Sequence, residues 1–128
     1  MRIEHIAIWA KDIDRLKDFY MNWFSATAGP LYHNPRTGLT SYFLTFPDGA
    51  PRLEIMNLPE IVGHDRSVKW EGFCHICISV GSKEKVDEYT EKMREAGVTV
   101  LGNPRTTGEG YYESVLADPE GNIVELTI

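Results

Sequence analysis

The feature that most restricts how this chain can fold is that it repeats itself. Asn34-Pro35-Arg36-Thr37 returns as Asn103-Pro104-Arg105-Thr106, and Phe46-Pro47-Asp48-Gly49 before Arg52-Leu53-Glu54-Ile55 parallels Ala117-Asp118-Pro119-Glu120-Gly121 before Val124-Glu125-Leu126. His5 and His75 stand at the same separation, so the landmarks share an offset of about 70 residues in a chain of 128. Small drifts around that offset are what single-residue loop insertions produce. The chain therefore reads as one domain built from a duplicated module, 1–57 and 70–128, joined by a linker at 58–69. The linker has breakers and polar residues but no sustained period.

Both halves carry the same order of patterns. Residues 2–9 alternate as a strand does. Asp12-Ile13-Asp14 then opens a helix with Leu16, Phe19, Tyr20, Trp23 and Phe24 at helical spacing. The counterpart helix runs from Ser82 to Ala96, with Val86, Tyr89, Met93 and Ala96 as its apolar stripe and Gly97 as its stop. Three extended stretches follow each helix, at 25–33, 39–46 and 51–57, and at 98–102, 110–117 and 122–128. Each module is thus βαβββ, an α+β arrangement, and each small sheet needs further burial for its inner face.

Composition excludes several partners. With 13 Lys and Arg against 19 Asp and Glu, a formal charge of -6, the chain is poorly suited to gripping nucleic-acid phosphates or an anionic membrane. No apolar run approaches the ~20 residues of a membrane helix. The opening Met1-Arg2-Ile3-Glu4-His5 has no secretory pattern, so the expected compartment is the cytoplasm. Cys74 and Cys77 form a C-x-x-C, but residues 73–80 read as a buried strand, in which positions three apart face opposite sides. Both are expected to be free, packed thiols rather than a zinc pair or a redox couple.

Chemistry collects at four positions equivalent under the repeat. His5 and His75 lie on the first strand of each module, Glu54 and Glu125 on the last. Taken singly, a strand histidine is usually a core residue and a strand glutamate usually points to water. As a set they say more. Glu54 lies between Leu53 and Ile55, and Glu125 between Val124 and Leu126, so if the apolar neighbours pack on helices, both carboxylates face the opposite side. Two imidazoles and two carboxylates converging make a divalent-metal site without thiolate, suited to Ni or Zn first and to Co, Mn or Fe(II) as well. Open coordination positions would make that site catalytic. His33 and His64 lack partners at the offset and carry no role. Gly108-Glu109-Gly110 lacks the Lys and following helix of a phosphate loop and reads as a flexible lip.

These residues carry a family resemblance over essentially the whole chain. Ile3-Glu4-His5-Ile6-Ala7-Ile8, the helix Asp14 to Phe24, Cys74-His75-Ile76 and the closing Asp118-Pro119-Glu120-Gly121-Asn122-Ile123-Val124-Glu125-Leu126 resemble the vicinal-oxygen-chelate superfamily, also called glyoxalase/bleomycin resistance/dioxygenase. The resemblance implies paired βαβββ modules curled into a cup around a divalent metal that chelates neighbouring substrate oxygens. A full His, Glu, His, Glu set resembles glyoxalase I, a lyase/isomerase that moves a proton next to a carbonyl through a metal-held enediolate. It also resembles methylmalonyl-CoA epimerase. By that likeness Glu125 is the expected base and Glu54 the alternative. A non-catalytic small-molecule-binding protein, as in drug-resistance members, is a further alternative. Trp9 stands where bacterial glyoxalases place an arginine for glutathione, which leaves the thiol open. Arg52, two residues before Glu54 on the same strand face, is either an anion contact for substrate or a surface arginine. Trp9, Tyr42, Phe43 and Tyr112 are expected as walls of the cup. The resemblance also implies a homodimer acting on a small molecule, with the site closed by the modules of one chain or exchanged between two.

Overall fold

The computed structural model describes every residue except Ala50, His64 and Trp70, so His64 and the expected start of the second module at position 70 lie outside the described residues. The chain divides into two compact units, Met1–His64 and Asp65–Ile128.

In the first unit, β1 (His5–Trp9) leads into α1 (Ile13–Phe24), followed by β2 (Thr27–Ala28), β3 (Tyr32–His33), β4 (Thr40–Thr45) and β5 (Arg52–Asn57). The strand order is β1-β5-β4-β2, with β3 also on β4. The β1/β5 pair is parallel and the rest are antiparallel. Asp12 caps α1 by accepting from the Arg15 amide at 2.9 Å. The apolar side of the helix, Ile13, Leu16, Phe19, Tyr20 and Phe24, is buried, with Leu44, Leu53 and Ile55 of the sheet buried as well. Each such large side chain contributes about 1.5–3 kcal/mol by leaving water. Trp23, expected in the stripe, is only half-buried. The stretch expected as one strand at 25–33 is two short strands, because Gly29-Pro30 interrupts the ladder and Pro has no amide to donate.

The second unit repeats the plan. β6 (His75–Ser79), α2 (Lys83–Glu95), β7 (Val100–Thr106), β8 (Tyr112–Ala117) and β9 (Ile123–Thr127) form a sheet of order β6-β9-β8-β7, again with the first and last strands parallel. Ser82 caps α2. The buried residues of α2 are Val86, Thr90 and Met93, whereas Tyr89 is half-buried and Ala96 is exposed at the C-cap. Thr90 enters the core because its hydroxyl donates to the Val86 carbonyl at 2.6 Å and meets the Ser114 hydroxyl at 2.7 Å.

The repeated tetrapeptide adopts two structures. Asn34 to Thr37 lie in the connection between β3 and β4, where Asn34 accepts the Arg36 amide on its side chain and Gly38, at φ 74°, donates to the Asn34 carbonyl. Asn103 to Thr106 are strand. There the Asn103 side chain accepts from Arg94 instead, Arg105 pairs with Glu113, and the turn falls later, at Thr107 to Gly110. The closing signature is likewise a turn. The buried Asp118 accepts the Glu120 and Asn122 amides and the Asn122 side chain, and Gly121 sits at φ 79°. No helix among the described residues is long and apolar enough to cross a membrane.

Candidate functional site

The alternation of each strand sends one set of side chains to the helix and the other to the open face of its sheet. In the first unit, Ile6 and Ile8 of β1 and Leu53 and Ile55 of β5 alternate with an open-face set, His5, Ala7 and Trp9 on β1 and Arg52, Glu54 and Met56 on β5. Phe43 is the partner of Glu54 across β4. In the second unit the same face carries His75, Cys77 and Ser79 on β6, Glu125 and Thr127 on β9, and Glu113 and Val115 on β8.

Because first and last strands are parallel neighbours, each histidine reaches its module's glutamate on the diagonal. His5 Nε2 is 3.8 Å from Glu54 Oε2, and His75 Nε2 is 3.2 Å from Glu125 Oε2. The imidazoles are 41% and 36% exposed but the carboxylates only 14% and 18%, so each glutamate is largely covered while its histidine remains reachable. Among the described residues the histidine of the same module is the ion-pair partner of each carboxylate, and an ion bound between the two would compete for the same oxygen and nitrogen. The structure thus forms two equivalent His–Glu pairs, one per unit. Among the described residues no group of three or more His, Cys, Asp or Glu side chains lies close enough to hold a metal.

The two pairs differ in their surroundings. Glu4, just ahead of β1, accepts from His5 Nδ1 and from Arg52 Nε at 2.8 Å, and Arg52 Nη2 also pairs with it. These bonds, His5's first and Arg52's second, hold the Glu4 carboxyl below the ordinary carboxylate range. The Phe43 ring meets the His5 ring edge-on at 5.3 Å and lies 4.2 Å under the Arg52 guanidinium. Arg52 is therefore engaged by Glu4 and Phe43. The second unit has Cys74 at the position of Glu4 and Ile123 at that of Arg52.

The cysteines are free, but both are exposed, contrary to the packed thiols expected from the β-branched sequence. For Cys77 the reason is the register: β6 is an edge strand whose isoleucines take the helix side and leave Cys77 on the open face opposite Glu125, while Cys74 precedes the strand. Partial burial raises the Cys77 thiol above its ordinary range, and the charges of Glu125 and Glu113 push the same way. Of the expected wall residues, Phe43 and Trp9 do lie on the open face, Trp9 being 49% exposed. Tyr42 and Tyr112 do not. They alternate to the helix side and donate to Asp14 at 2.9 Å and Asp87 at 2.7 Å. The sequence pattern assigns no site role to Glu4 or Glu113, and it predicts a packed thiol at Cys77. The cross-strand register, counted outward from Glu125, brings Cys77 and Glu113 to the face, whereas Glu4, ahead of β1, reaches it through its bonds to His5 and Arg52.

The chain matches the sequence model of the Glyoxalase/Bleomycin resistance protein/Dioxygenase superfamily over residues 2–126. It belongs to that superfamily. A relative of the superfamily member described here, the ethylmalonyl-CoA/methylmalonyl-CoA epimerase of Cereibacter sphaeroides, is 29% identical over 98% of this chain and 96% of its own. Among solved structures, a glyoxalase family protein from Enterococcus faecalis superposes with a TM-score of 0.81 at 23% identity, covering 99% of this chain and 97% of that one. The trypanothione-dependent glyoxalase I of Leishmania major superposes with a TM-score of 0.77 at 23% identity, over 99% of this chain and 86% of its own. The α+β fold is thus the glyoxalase-family fold expected from the sequence, with one extra short strand in the first unit.

Proposed function

We propose that this protein is a divalent-metal-dependent enzyme that moves a proton next to a carbonyl, with His5, Glu54, His75 and Glu125 as the metal-holding set. The observation that carries the reading is the His–Glu pair built twice, at equivalent positions on the open faces of the two sheets. Each pair alone offers two donors, one imidazole nitrogen and one carboxylate oxygen, and two such halves complete a four-donor set of nitrogen and oxygen. The halves come from one chain or from two copies in a homodimer. That donor set suits Ni or Zn, with Co, Mn and Fe(II) as further choices. When bound, such an ion is a Lewis acid that polarises a carbonyl oxygen and acidifies the adjacent C–H.

The chain's own groups then do the proton work. Glu125 is the base that takes the proton from carbon, and its cover from solvent keeps that proton from exchanging freely. If Glu54 delivers a proton to the opposite side of the same carbon, the centre is inverted, as in an epimerase. If Glu125 returns its own proton to the neighbouring carbon, the outcome is that of a glyoxalase I-type lyase. The epimerase outcome on a small acyl thioester is favoured, since a whole-length sequence relative is an ethylmalonyl-CoA/methylmalonyl-CoA epimerase. Trp9, at the rim of the open face, offers an aromatic surface to substrate rather than an anion contact.

The test is incubation with methylmalonyl-CoA, and separately with the methylglyoxal–glutathione adduct, in deuterated water with Ni or Zn present. The expected result is deuterium at the α-carbon of the thioester, lost together with metal binding in His5→Ala and retained metal with lost exchange in a milder Glu125→Gln. Stoichiometric absence of metal after purification and reconstitution would sink this reading in favour of a non-catalytic binding protein.

A further inference from the structure

The Glu4–Arg52 pair is unexplained by the four-ligand reading, and it exists in one module only. Glu4 directly precedes β1, its carbonyl accepts the Arg52 amide at 3.1 Å, and its side chain meets the neighbouring imidazole. A carboxylate only accepts hydrogen bonds, so the nitrogen facing it, Nδ1, must carry the proton. The other nitrogen, Nε2, is the one turned toward Glu54. Arg52 fixes the carboxylate in place from the other side through Nε and Nη2, and the Phe43 ring supports both the imidazole and the guanidinium. His75 has no such support: Cys74 precedes it, and no described residue bonds to its Nδ1.

From this we infer that Glu4 is a positioning residue that fixes His5 as the Nδ1–H tautomer, leaving the Nε2 lone pair to face Glu54 and a metal, and that Arg52 serves this arrangement rather than binding substrate. The inference builds on the metal reading for its consequence but not for its geometry. A histidine whose remote nitrogen donates to a carboxylate is a more basic and better oriented ligand, and loss of such a partner typically lowers metal affinity by about 10–100-fold. The two histidines are therefore unequal: His5 is held at Nδ1 by Glu4 as well as facing Glu54, whereas His75 is held among the described residues only through its Nε2 contact with Glu125.

Nitrogen-15 NMR of the histidine side chains in the metal-free full chain, at mildly alkaline pH, reads the tautomers directly. In the native sequence His5 is expected as the Nδ1–H form, and in Glu4→Gln it shifts toward the Nε2–H form while His75 is unmoved. Calorimetric titration with Ni(II) alone is expected to show at least a tenfold weaker complex for Glu4→Gln, with Glu4→Asp recovering part of the loss. A His5 that is Nε2–H in the native chain, or a Glu4→Gln variant with unchanged tautomer and unchanged Ni(II) affinity, overturns the inference. If the native chain takes up no Ni(II) at all, the metal reading falls while the tautomer comparison still decides the role of Glu4.

Discussion

Single residues in this fold are held by a few hydrogen bonds that can be tested one at a time. Ser25 ends α1 in the left-handed region at φ 53°, where a Cβ is strained and glycine is not. Ser25→Gly is expected to stabilise the chain by about 0.5–1 kcal/mol in urea unfolding. The equivalent stop in the second unit already uses Gly97 at φ 85°. Thr90 and Ser114 are both fully buried and bonded to each other. Thr90→Val preserves shape but leaves the Ser114 hydroxyl without that partner, an expected loss of about 1–3 kcal/mol. Adding Ser114→Ala should recover most of it, and a double-mutant cycle measures how much. Neither residue stands out in the sequence, because a stripe counted over apolar letters alone steps over Thr90 and takes in Ala96.

At the scale of elements, the helix of the first unit is strapped to its sheet by Tyr42. Its hydroxyl donates to Asp14, which also receives Lys17. These bonds, Lys17's first and Tyr42's second, lower the Asp14 carboxyl, while Asp14 chiefly raises the Tyr42 hydroxyl. A lowered acid gives stability that is complete above its unfolded pKa of about 4 and is lost as pH falls through the folded value. A raised phenol gives stability complete below about 10 and lost as pH rises through the folded value. The stability difference between native chain and Tyr42→Phe should therefore be flat across neutral pH and shrink at both ends. Its plateau is expected at about 0.5 kcal/mol or less, since the pair is exposed and screened. A difference that stays constant from acid to alkali in thermal unfolding would show the strap to be without ionic character. The repeated Asn-Pro-Arg-Thr shows that an element is not decided by its letters alone. Gly38 follows the first copy and closes a turn, whereas Arg94 and Glu113 capture the side chains of the second and keep it in a ladder.

At the scale of the whole molecule, the proposed function requires that each module supply half of a donor set, so that a bound ion would couple the two halves energetically. An ion bound only by the folded chain, at a hundred times its dissociation constant, adds about 2.7 kcal/mol to stability. Thermal scans of the Ni(II)-loaded protein are expected to fall on the order of 10 °C when excess chelator is added. The same scans of His5→Ala or His75→Ala should be insensitive to chelator. If either single variant kept the full shift, the four residues would not act as one set.

The two helices, the βαβββ order of the second half, the strand-helix-strands plan of the first apart from its extra short strand, and the equivalent placing of each His and Glu on first and last strands were legible in the sequence, because periodicity and spacing are properties of the chain itself. What the letters left open was the neighbourhood of each side chain. That His5 and His75 reach their glutamates diagonally depends on β1 and β6 lying parallel beside β5 and β9, a pairing between residues far apart in the chain. The same register exposed Cys77, turned Tyr42 and Tyr112 to the helices, and brought Glu4, Arg52 and Phe43 around one imidazole. Alternation says that a strand has two faces. Only the tertiary hydrogen-bond register says what stands opposite each residue on them.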